Sequence, residues 1–352
     1  MYFLGVGTAA PATRYTQEQC YSALRASPQF NQLEPRSRAL LQRLLLGNNG
    51  IDTRALALDP LKDAFDAQPD VLHRRYASHA PRLAHEAAQR ALSEAGCSAA
   101  QIDGVIVSTC TGYLCPGLTS YVIESLGLAH DVVALDLVGQ GCGAALPNFR
   151  TAEALLEAGR SDRVLSICVE VCSAAFYVDD DPGVLVSACL FGDGAGAAIL
   201  GREPVGNSPR VRWQAAASST DPTQRDVLRF EQRNGMLRNI LMPEVPELAA
   251  RRAAEVLDTV LARESLTREA ISTWIWHSGG KKVLQALQRE IALDVESVHW
   301  SSEVLREYGN VSSACVYFVL EAALRGVARP GWWWMSSFGA GFSCHGALLE
   351  VA

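Results

Sequence analysis

A cysteine flanked by glycines, Cys142, has the clearest setting for covalent chemistry in this sequence. It follows an apolar run at 132–137 and precedes a helical pattern over 143–158. The N-terminus of a helix presents unpaired N–H groups and a partial positive charge, which favour the thiolate, the reactive form of a thiol. The flanking glycines permit a tight turn and a close approach of substrate to the backbone. These features predict a nucleophile, although the chain has ten cysteines and packing is the ordinary role of a cysteine.

Two polar residues at the edges of apolar segments are candidate partners of this thiol. His277 follows a strand pattern at 273–276 and precedes a Gly-Gly pair, and catalytic side chains of α/β folds often project from the ends of strands. Asn310 precedes an apolar helical segment, where an asparagine is also typical of a helix cap. A thiol that attacks a thioester needs groups that stabilise the resulting oxyanion. We therefore take His277 and Asn310 as candidates for that role.

Alternating strand and helix patterns provide the elements that would position these residues. The patterns indicate buried strands at 105–109, 132–137 and 164–169, and helices at 82–95, after Pro81, and at 143–158. Farther along, they indicate helices at 246–263, 281–291 and 312–325, and strands at 273–276, 332–337 and 345–351. This alternation predicts an α/β protein with covered sheets.

The stretch from 203 to 245 differs in character from the rest of the chain. It contains Pro204, Pro209, Pro222 and Pro243, many charges, and an Asn-Gly turn signal at 234–235. We predict a connection plus a surface hairpin here. The connection divides the chain into an N-terminal half, 1–203, with the cysteine and a C-terminal half, 204–352, with the histidine and asparagine. A Phe-Gly-x-Gly turn precedes an apolar strand in both halves, at 191–194 and 338–341, which favours a duplicated fold.

The composition argues against several classes of function. The chain has 352 residues, is 49% hydrophobic and carries a formal charge of −7, so it lacks the basic surface of a nucleic-acid-binding protein. Its first residues lack the basic segment of a signal peptide, and no apolar run approaches the ~20 residues of a membrane span. We expect a cytoplasmic protein with reduced cysteines, no metal site, no membrane insertion and no nucleic-acid partner.

Longer motifs surround the three candidate residues in a fixed order. They are Gly-Cys-Gly at 141–143, Trp-x-x-His-x-Gly-Gly at 274–280 and Tyr-Gly-Asn-x-Ser-Ser-Ala at 308–314. Together they resemble the Cys-His-Asn signature of type III polyketide synthases, the chalcone synthase superfamily. Further matching segments lie at 109–117, 190–194, 237–241 and 337–341. The resemblance runs nearly end to end and implies a homodimer with the thiolase fold, in which two similar α/β halves form five layers in the order αβαβα.

The resemblance also implies a reaction. The Cys142 thiolate, paired with imidazolium His277, would attack a starter acyl-CoA thioester. His277 and Asn310 would hold the oxyanion and then the enolate left when malonyl-CoA loses carbon dioxide. The enolate would attack the acyl group on the cysteine, and the cycle would repeat before ring closure. No cofactor is implied beyond the CoA thioesters. Phe191 matches the family's gatekeeping phenylalanine, and Cys115 matches a residue that reaches into the neighbouring subunit's cavity.

Several positions depart from the plant members of this family. Cys110 and Cys172 stand where threonines are usual, and Ser187 replaces a glycine that helps to set the cavity volume. The second gatekeeping phenylalanine has no clear counterpart, and Met242 is the nearest bulky residue. These changes favour an apolar cavity, a fatty acyl starter and an alkylpyrone or alkylresorcinol product. The residues that we expect to bind substrate are Cys110, Thr111, Cys115, Cys172, Ser187, Phe191, Met242, Gly279 and Phe338, with Arg43 for the CoA phosphates.

Other functions fit part of the same pattern. A single-condensation β-ketoacyl synthase of fatty-acid initiation shares the three residues, although such enzymes usually carry Gln-Ala-Asn after the histidine, where this chain has Ser278-Gly279-Gly280. A non-catalytic acyl-binding subunit with the same fold is a second alternative. Delivery of the starter by an acyl carrier protein also stays open. Glycine-rich segments at 5–10 and 192–197 fit a dinucleotide-binding template, but neither leads into the helix that this template requires.

Overall fold

A computed structural model describes residues 1–204, 211–326 and 329–352. Its strands are β1 (Tyr2–Ala9), β2 (Arg14–Thr16), β3 (Thr53–Ala55), β4 (Gly104–Ser108), β5 (Val133–Leu137), β6 (Arg163–Glu170), β7 (Gly194–Gly201), β8 (Val211–Thr220), β9 (Leu228–Arg233), β10 (Met236–Leu241), β11 (Ile271–Trp276), β12 (Gly331–Gly339) and β13 (Ser343–Val351). Its α-helices are α1 (Gln17–Arg25), α2 (Pro28–Gln32), α3 (Pro35–Leu46), α4 (Pro69–Ala95), α5 (Leu118–Leu126), α6 (Ala145–Glu157), α7 (Pro182–Leu190), α8 (Val245–Arg263), α9 (Lys281–Ile291), α10 (His299–Tyr308) and α11 (Cys315–Arg325).

The central sheet has the strand order β11-β12-β13-β8-β1-β7-β6-β4-β5. At one end β5, β4 and β6 are parallel, and β7 and β1 continue the sheet antiparallel. At the other end β11 and β12 are parallel, and β13 and β8 continue antiparallel. A short pairing of β1 with β8 joins the two parts. The boundary predicted at 203–204 stays a prediction, because the adjoining residues 205–210 lie outside the described ranges.

Three apolar cores separate the layers of helix and sheet. Successive side chains of a strand point to opposite faces, so Val105 and Val107 of β4 pack with α4 and α5, while Ile106 faces α6 and α11. Helices α6 and α11 lie between the two parts of the sheet, and Phe149 and Tyr317 fill that core. Helices α8 and α9 cover the outer face of β11, β12 and β13. The predicted α/β class and its five-layered arrangement are therefore confirmed.

Helix α4 begins at Pro69, earlier than the predicted start at 82, and continues through Pro81. An internal proline costs about 3 kcal/mol, but this helix lies unusually close to the sheet. A Cβ atom at Gly5 would be 2.4 Å from the carbonyl oxygen of Ala91, and one at Gly7 would be 2.4 Å from its backbone nitrogen. The buried alanine face of α4 therefore packs directly on β1. This contact explains the glycine-rich segment at 5–10 without a nucleotide.

The stretch predicted as a connection contains more regular structure than its prolines indicate. The predicted surface hairpin is formed by β9 and β10, and Asn234 and Gly235 adopt positive φ at its turn. Strand β8, which is not predicted, pairs with β1 and β13 in the central sheet. Many of its residues are alanine or serine, so hydrophobic alternation is weak. The predicted loop residue Pro209 lies outside the described residues.

Candidate active site

The three candidate catalytic residues lie at the ends of elements that meet near the centre of the molecule. Cys142 lies in a 3₁₀ turn, Gly141–Gly143, between β5 and α6. His277 directly follows β11. Asn310 lies between α10 and a second 3₁₀ turn, Ser312–Ala314, which leads into α11. The side chains of His277 and Asn310 are almost completely buried, and Cys142 is partly exposed.

The thiol lies in a tight turn and not at the first residue of an α-helix. Gly139 and Gly141 have φ values of +81° and +55°, which glycine adopts without the strain that a side chain would cause. Helix α6 accordingly begins at Ala145, later than the predicted 143. The end of β12 packs against this turn: a Cβ atom at Gly339 would lie 2.5 Å from the backbone nitrogen of Gly143. The motif at 337–341 therefore helps to fix the position of the nucleophile.

A polar network joins the thiol to a buried carboxylate. The Sγ atom of Cys142 is 3.2 Å from the Oγ atom of Ser312, which is also 3.3 Å from Sγ of Cys110. The Cys110 thiol and the Ser312 hydroxyl each lie 3.3 Å from Oε1 of Glu170. Glu170 is fully buried and also accepts hydrogen bonds from the backbone of Cys110 and from the hydroxyl of Thr111. This carboxylate holds both the serine and the second cysteine beside the nucleophile.

The surroundings of Cys142 favour its thiolate. A hydrogen bond from the Cys110 thiol holds the pKa of Cys142 well below its usual range, against the effect of burial, and contact with His277 and Ser312 lowers it further. The same hydrogen bond, burial and the nearby Glu170 raise the pKa of Cys110. Of the two neighbouring thiols, Cys142 is therefore the one that ionises. This agrees with its assignment as the nucleophile.

His277 is placed to supply the positive charge. Burial opposes its protonation, but the sulfur atoms of Cys315 and Cys142 raise the pKa of His277 to about 10. Its Nδ1 atom is buried without a hydrogen-bond partner among the described residues. The ring of Phe338 packs edge-on against the imidazole at 5.1 Å, and a Cβ atom at Gly279 would be 3.3 Å from the ring. These two neighbours fix the plane of the imidazole.

Asn310 is held by its own backbone and by neighbouring turns. Its Oδ1 atom accepts a hydrogen bond from the backbone N–H of Ser312 at 2.9 Å, and its Nδ2 atom donates to the carbonyl of Gly279 at 3.2 Å. A carboxamide nitrogen carries two hydrogens, so one N–H remains for a substrate oxygen. The backbone N–H of Asn310 donates to Leu190, and its carbonyl accepts from Gly192. These bonds place the predicted gatekeeper Phe191 directly beside Asn310.

A cavity of about 20 Å³ lies next to this network. Four of the residues predicted to bind substrate line it, namely Thr111, Cys172, Ser187 and Phe191. Two residues that the sequence does not indicate, Phe230 of β9 and Asn239 of β10, also line it. The amide of Asn239 donates to the hydroxyl of Ser187 at 2.8 Å, so the hairpin forms one wall of the cavity.

Cys110 lies beside the thiol, and Gly279 and Phe338 lie beside His277, whereas three other predicted residues do not line the cavity. Met242 has 43% of its surface exposed and does not line the cavity; the bulky hairpin residue there is Phe230, which corrects that prediction. Cys115 is exposed, and its predicted role in a neighbouring subunit stays a prediction. Arg43 is exposed in the last turn of α3, and the next loop contacts α9 through a bond of 2.8 Å from Lys281 to Asn48.

Two family descriptions match most of the chain. Residues 62–204 match the N-terminal domain of chalcone and stilbene synthases, and residues 214–350 match the C-terminal domain. A 3,5-dihydroxyphenylacetyl-CoA synthase from Streptomyces toyocaensis is 30% identical over 99% of this chain and 89% of the relative. The enzyme of the same name from Amycolatopsis orientalis is 29% identical over 99% of this chain and 93% of that relative.

Solved structures show the same fold over almost the entire chain. PKS-I from the brown alga Ectocarpus siliculosus superposes with a TM-score of 0.90 at 25% identity, over 99% of this chain and 98% of that one. The bacterial type III polyketide synthase 1,3,6,8-tetrahydroxynaphthalene synthase from Streptomyces coelicolor superposes with a TM-score of 0.87 at 24% identity, over 99% of both chains. The chain therefore has the same fold as these two solved structures.

Proposed function

Because the chain belongs to the chalcone and stilbene synthase family and is a type III polyketide synthase, we propose that Cys142, His277 and Asn310 carry out its condensation reaction. The observation that supports this assignment is the contact between a thiol of lowered pKa and an imidazole whose pKa is raised to about 10. The pair is a thiolate and an imidazolium at neutral pH. A thiolate is the form that attacks a thioester.

The reaction begins with transfer of the starter acyl group. The Cys142 thiolate attacks the thioester carbonyl of the starter, and a C–S bond to the protein forms. The C–S bond to CoA breaks, and the CoA thiolate leaves and takes a proton from water, so His277 keeps the N–H that it needs as a donor in the next step. Nε2 of His277 and the free N–H of Asn310 point hydrogens at the developing oxyanion. Fixed donors in a buried site stabilise such charge without reorganising at the moment of reaction.

Extension uses the same two donors. When malonyl-CoA binds, the bond between its carboxylate carbon and the adjacent methylene carbon breaks, and carbon dioxide leaves. The electron pair of that bond remains as an enolate, whose oxygen is held by His277 and Asn310. The enolate carbon attacks the acyl carbonyl on Cys142. A carbon–carbon bond forms and the C–S bond breaks, which regenerates the cysteine thiolate. Transfer of the product back to Cys142 permits another cycle.

We propose a fatty acyl starter and an alkylpyrone or alkylresorcinol product. Thiol and alanine side chains at Cys110, Cys172 and Ala175 lie in or beside the cavity, and such side chains offer few hydrogen bonds to a hydroxylated aromatic starter. The name of the relatives at about 30% identity favours a second candidate, formation of 3,5-dihydroxyphenylacetyl-CoA. The two candidates differ in whether an alkyl group is retained in the product.

Incubation with malonyl-CoA and a panel of acyl-CoA starters should yield products that contain one starter and at least two malonyl-derived units. The expected result follows from regeneration of the thiolate after each condensation. Mass spectrometry with carbon-labelled malonyl-CoA counts the units and identifies the ring. Products extended once would instead support the single-condensation synthase. A parallel incubation with acyl carrier protein thioesters determines which carrier delivers the starter.

The CoA phosphates are proposed to bind where α3 approaches α9. Arg43 is exposed near the end of α3, and α9 begins with Lys281 and Lys282. The first turn of α9 presents unpaired backbone N–H groups and a partial positive charge. Two lysines, an arginine and this helix end together suit a diphosphate. The position lies close to Gly279 and His277, as a thioester donor requires.

We also propose that the enzyme is a homodimer. Strand β5 is the last strand of the sheet, and an edge strand with free N–H and C=O groups is a template for pairing. Tyr113, which precedes this strand in sequence, and Val138, which follows it directly, are 72% and 67% exposed. Cys115 lies between Tyr113 and the strand in sequence. Sedimentation equilibrium should give twice the mass of 37.9 kDa, and a Val138→Arg variant should sediment as a monomer. A wild-type chain that remains monomeric at micromolar concentration would contradict the proposal.

A cytoplasmic location is proposed on the basis of the cysteines. All ten are free, as expected in a reducing compartment. Within the described ranges, no helix has both the length and the apolar character needed to span a membrane.

A further inference from the structure

Two cysteines, Cys110 and Cys142, lie side by side in the active site. Cys110 is in the loop that follows β4, and Cys142 is in the turn that follows β5. These strands are parallel and stay paired up to their last residues, Ser108 and Leu137, and paired strands lie about 4.8 Å apart. The two loops therefore leave the sheet together at one end. The proposed condensation uses the sulfur of Cys142 and has no step for that of Cys110.

A single hydroxyl group contacts both sulfur atoms. The Oγ atom of Ser312 is 3.2 Å from Sγ of Cys142 and 3.3 Å from Sγ of Cys110. The Cys110 thiol also donates a hydrogen bond to the Cys142 sulfur. Both cysteines are partly exposed, so a small polar reagent such as hydrogen peroxide can reach the pair.

The two thiols differ in protonation, as an oxidisable cysteine and its resolving partner must. The hydrogen bond from Cys110 and contact with His277 hold the pKa of Cys142 well below its usual range. The same hydrogen bond, burial and Glu170 raise the pKa of Cys110. A thiolate is the form that reacts with peroxides. The pair thus consists of one thiolate that can be oxidised and one protonated thiol directly beside it.

We propose that Cys142 and Cys110 form a reversible disulfide when the enzyme meets a hydroperoxide. This inference rests on the proposed function only in taking Cys142 as the reactive thiolate, and it adds a modification to the condensation reaction. The disulfide stops condensation, because the bonded sulfur of Cys142 can no longer attack a thioester. It also prevents oxidation of the nucleophile to the sulfinic acid, which thiols do not reduce.

The oxidation takes place in two steps. The Cys142 thiolate attacks one oxygen of hydrogen peroxide, an S–O bond forms, the O–O bond breaks and hydroxide leaves, which gives a sulfenic acid. The Cys110 sulfur then attacks the Cys142 sulfur, so that an S–S bond forms and the S–O bond breaks. The Cys110 thiol donates to Oε1 of Glu170 at 3.3 Å, and this carboxylate can pass the thiol proton to the leaving hydroxide, which becomes water. Each sulfur loses one electron, and the peroxide gains both.

The test follows the two cysteines by mass in the absence of malonyl-CoA. Wild-type protein is treated with hydrogen peroxide, its remaining thiols are blocked with iodoacetamide, and the chain is cleaved after glutamates. This cleavage places Cys110 in the peptide 95–124 and Cys142 in the peptide 125–153. The expected product is the two peptides joined through these cysteines and separated again by dithiothreitol, and condensation activity should be lost and regained with the bond. An inactivated enzyme without joined peptides, or with Cys142 joined to another cysteine, would overturn the proposal.

A Cys110→Ser variant removes the resolving thiol and keeps a hydrogen-bond donor at this position. The serine hydroxyl can still donate to Cys142 and Glu170 but cannot form a disulfide. At the same dose of peroxide, Cys142 should accumulate as the sulfinic acid in this variant. The activity that dithiothreitol restores, relative to the untreated variant, should be about tenfold or more below that of wild type. Equal recovery in Cys110→Ser and wild type would contradict the proposal.

The matched control is Cys97→Ser. Cys97 is partly exposed like the two active-site cysteines, but it hydrogen-bonds to the carbonyl of Ala95 beyond the end of α4. This variant should form the disulfide and recover as wild type does. If the disulfide is absent in Cys97→Ser, the bond has been assigned to the wrong pair of cysteines.

The same measurements separate this inference from the proposed function. If Cys110→Ser does not fold, the joined peptides of the wild type decide the matter on their own. A reduced enzyme that condenses malonyl-CoA but forms no disulfide refutes only the redox modification. A chain that forms the disulfide but does not condense malonyl-CoA when reduced refutes the proposed function and supports the modification.

Discussion

Replacement of Cys142 by alanine is expected to abolish malonyl-dependent product formation, with a loss of about 10⁴-fold or more in kcat. The alanine removes the only atom to which the starter can be bonded during extension, and the remaining oxyanion donors cannot replace a covalent intermediate. Ser312 and Cys110 keep their contacts with Glu170, so the fold of the site should persist. Product formation is measured by mass spectrometry, with a thermal unfolding scan to verify folding.

A matched control for this variant is Cys97→Ala. Cys97 is a partly buried cysteine that hydrogen-bonds to the carbonyl of Ala95 after the end of α4, away from the site. Its replacement should leave activity at the wild-type level. The neighbouring Cys110 provides the sharper challenge, because it is the other thiol in reach of Ser312. If Cys142→Ala retains activity while Cys110→Ala loses it, the nucleophile has been assigned to the wrong sulfur.

The strands that carry the catalytic residues could be predicted from the sequence because their signals are local. Strand β11 is a continuous apolar pattern and helix α9 is an amphipathic one. The Gly279-Gly280 pair lies between them, so the position of His277 at the end of the strand is evident. Helix α4 is different: its first part, before Pro81, makes long-range contacts, such as the hydrogen bonds from the buried Arg75 to the carbonyls of Ser173 and Asp63. A contact of this kind, between residues far apart in sequence, leaves no periodic signal at Pro81. The same holds for β8, which is stabilised by pairing with β1 and β13.

The sequence indicates the three candidate catalytic residues, but the residues that surround them in the site could not be predicted from it. Glu170 is the last residue of a buried strand, and its importance arises only when the loop at 109–111 and the turn at 312–314 converge on it. Ser312 lies in the motif at 308–314, in which the sequence indicates only Asn310 as a candidate. Phe230 reaches the cavity because the pairing of β9 with β10 places it opposite Asn239, and both side chains line the cavity. Met242 lies beyond the end of the hairpin. A sequence pattern does not show which loops meet in space, and the roles of these residues depend on that meeting.

Replacement of His277 by alanine is expected to lower the reactivity of the Cys142 thiol in a protein that still folds. In the wild type the pKa of Cys142 lies well below its usual range and that of His277 is about 10, so the ion pair is present at neutral pH. The rate of alkylation by iodoacetamide should therefore vary little between about pH 7 and pH 9. Without the imidazolium, the pKa of the Cys142 thiol should rise, because the contact with His277 is lost while burial still favours the neutral form and the hydrogen bond from Cys110 remains.

Alkylation of His277→Ala at pH 7 should accordingly be slower than in the wild type, by up to the roughly 30-fold that separates a thiolate from a free cysteine at this pH. Its rate should increase with pH through the range in which the wild type is flat. The condensation rate should fall further, by about 10³-fold or more, because a donor to the oxyanion is lost as well. Asn310→Ala distinguishes the two effects: it should lose condensation by about 10²-fold while keeping the wild-type pH profile of alkylation. A flat alkylation profile in His277→Ala would mean that Cys110 and Ser312 alone keep the thiol ionised, and the role of His277 would then be confined to the oxyanion.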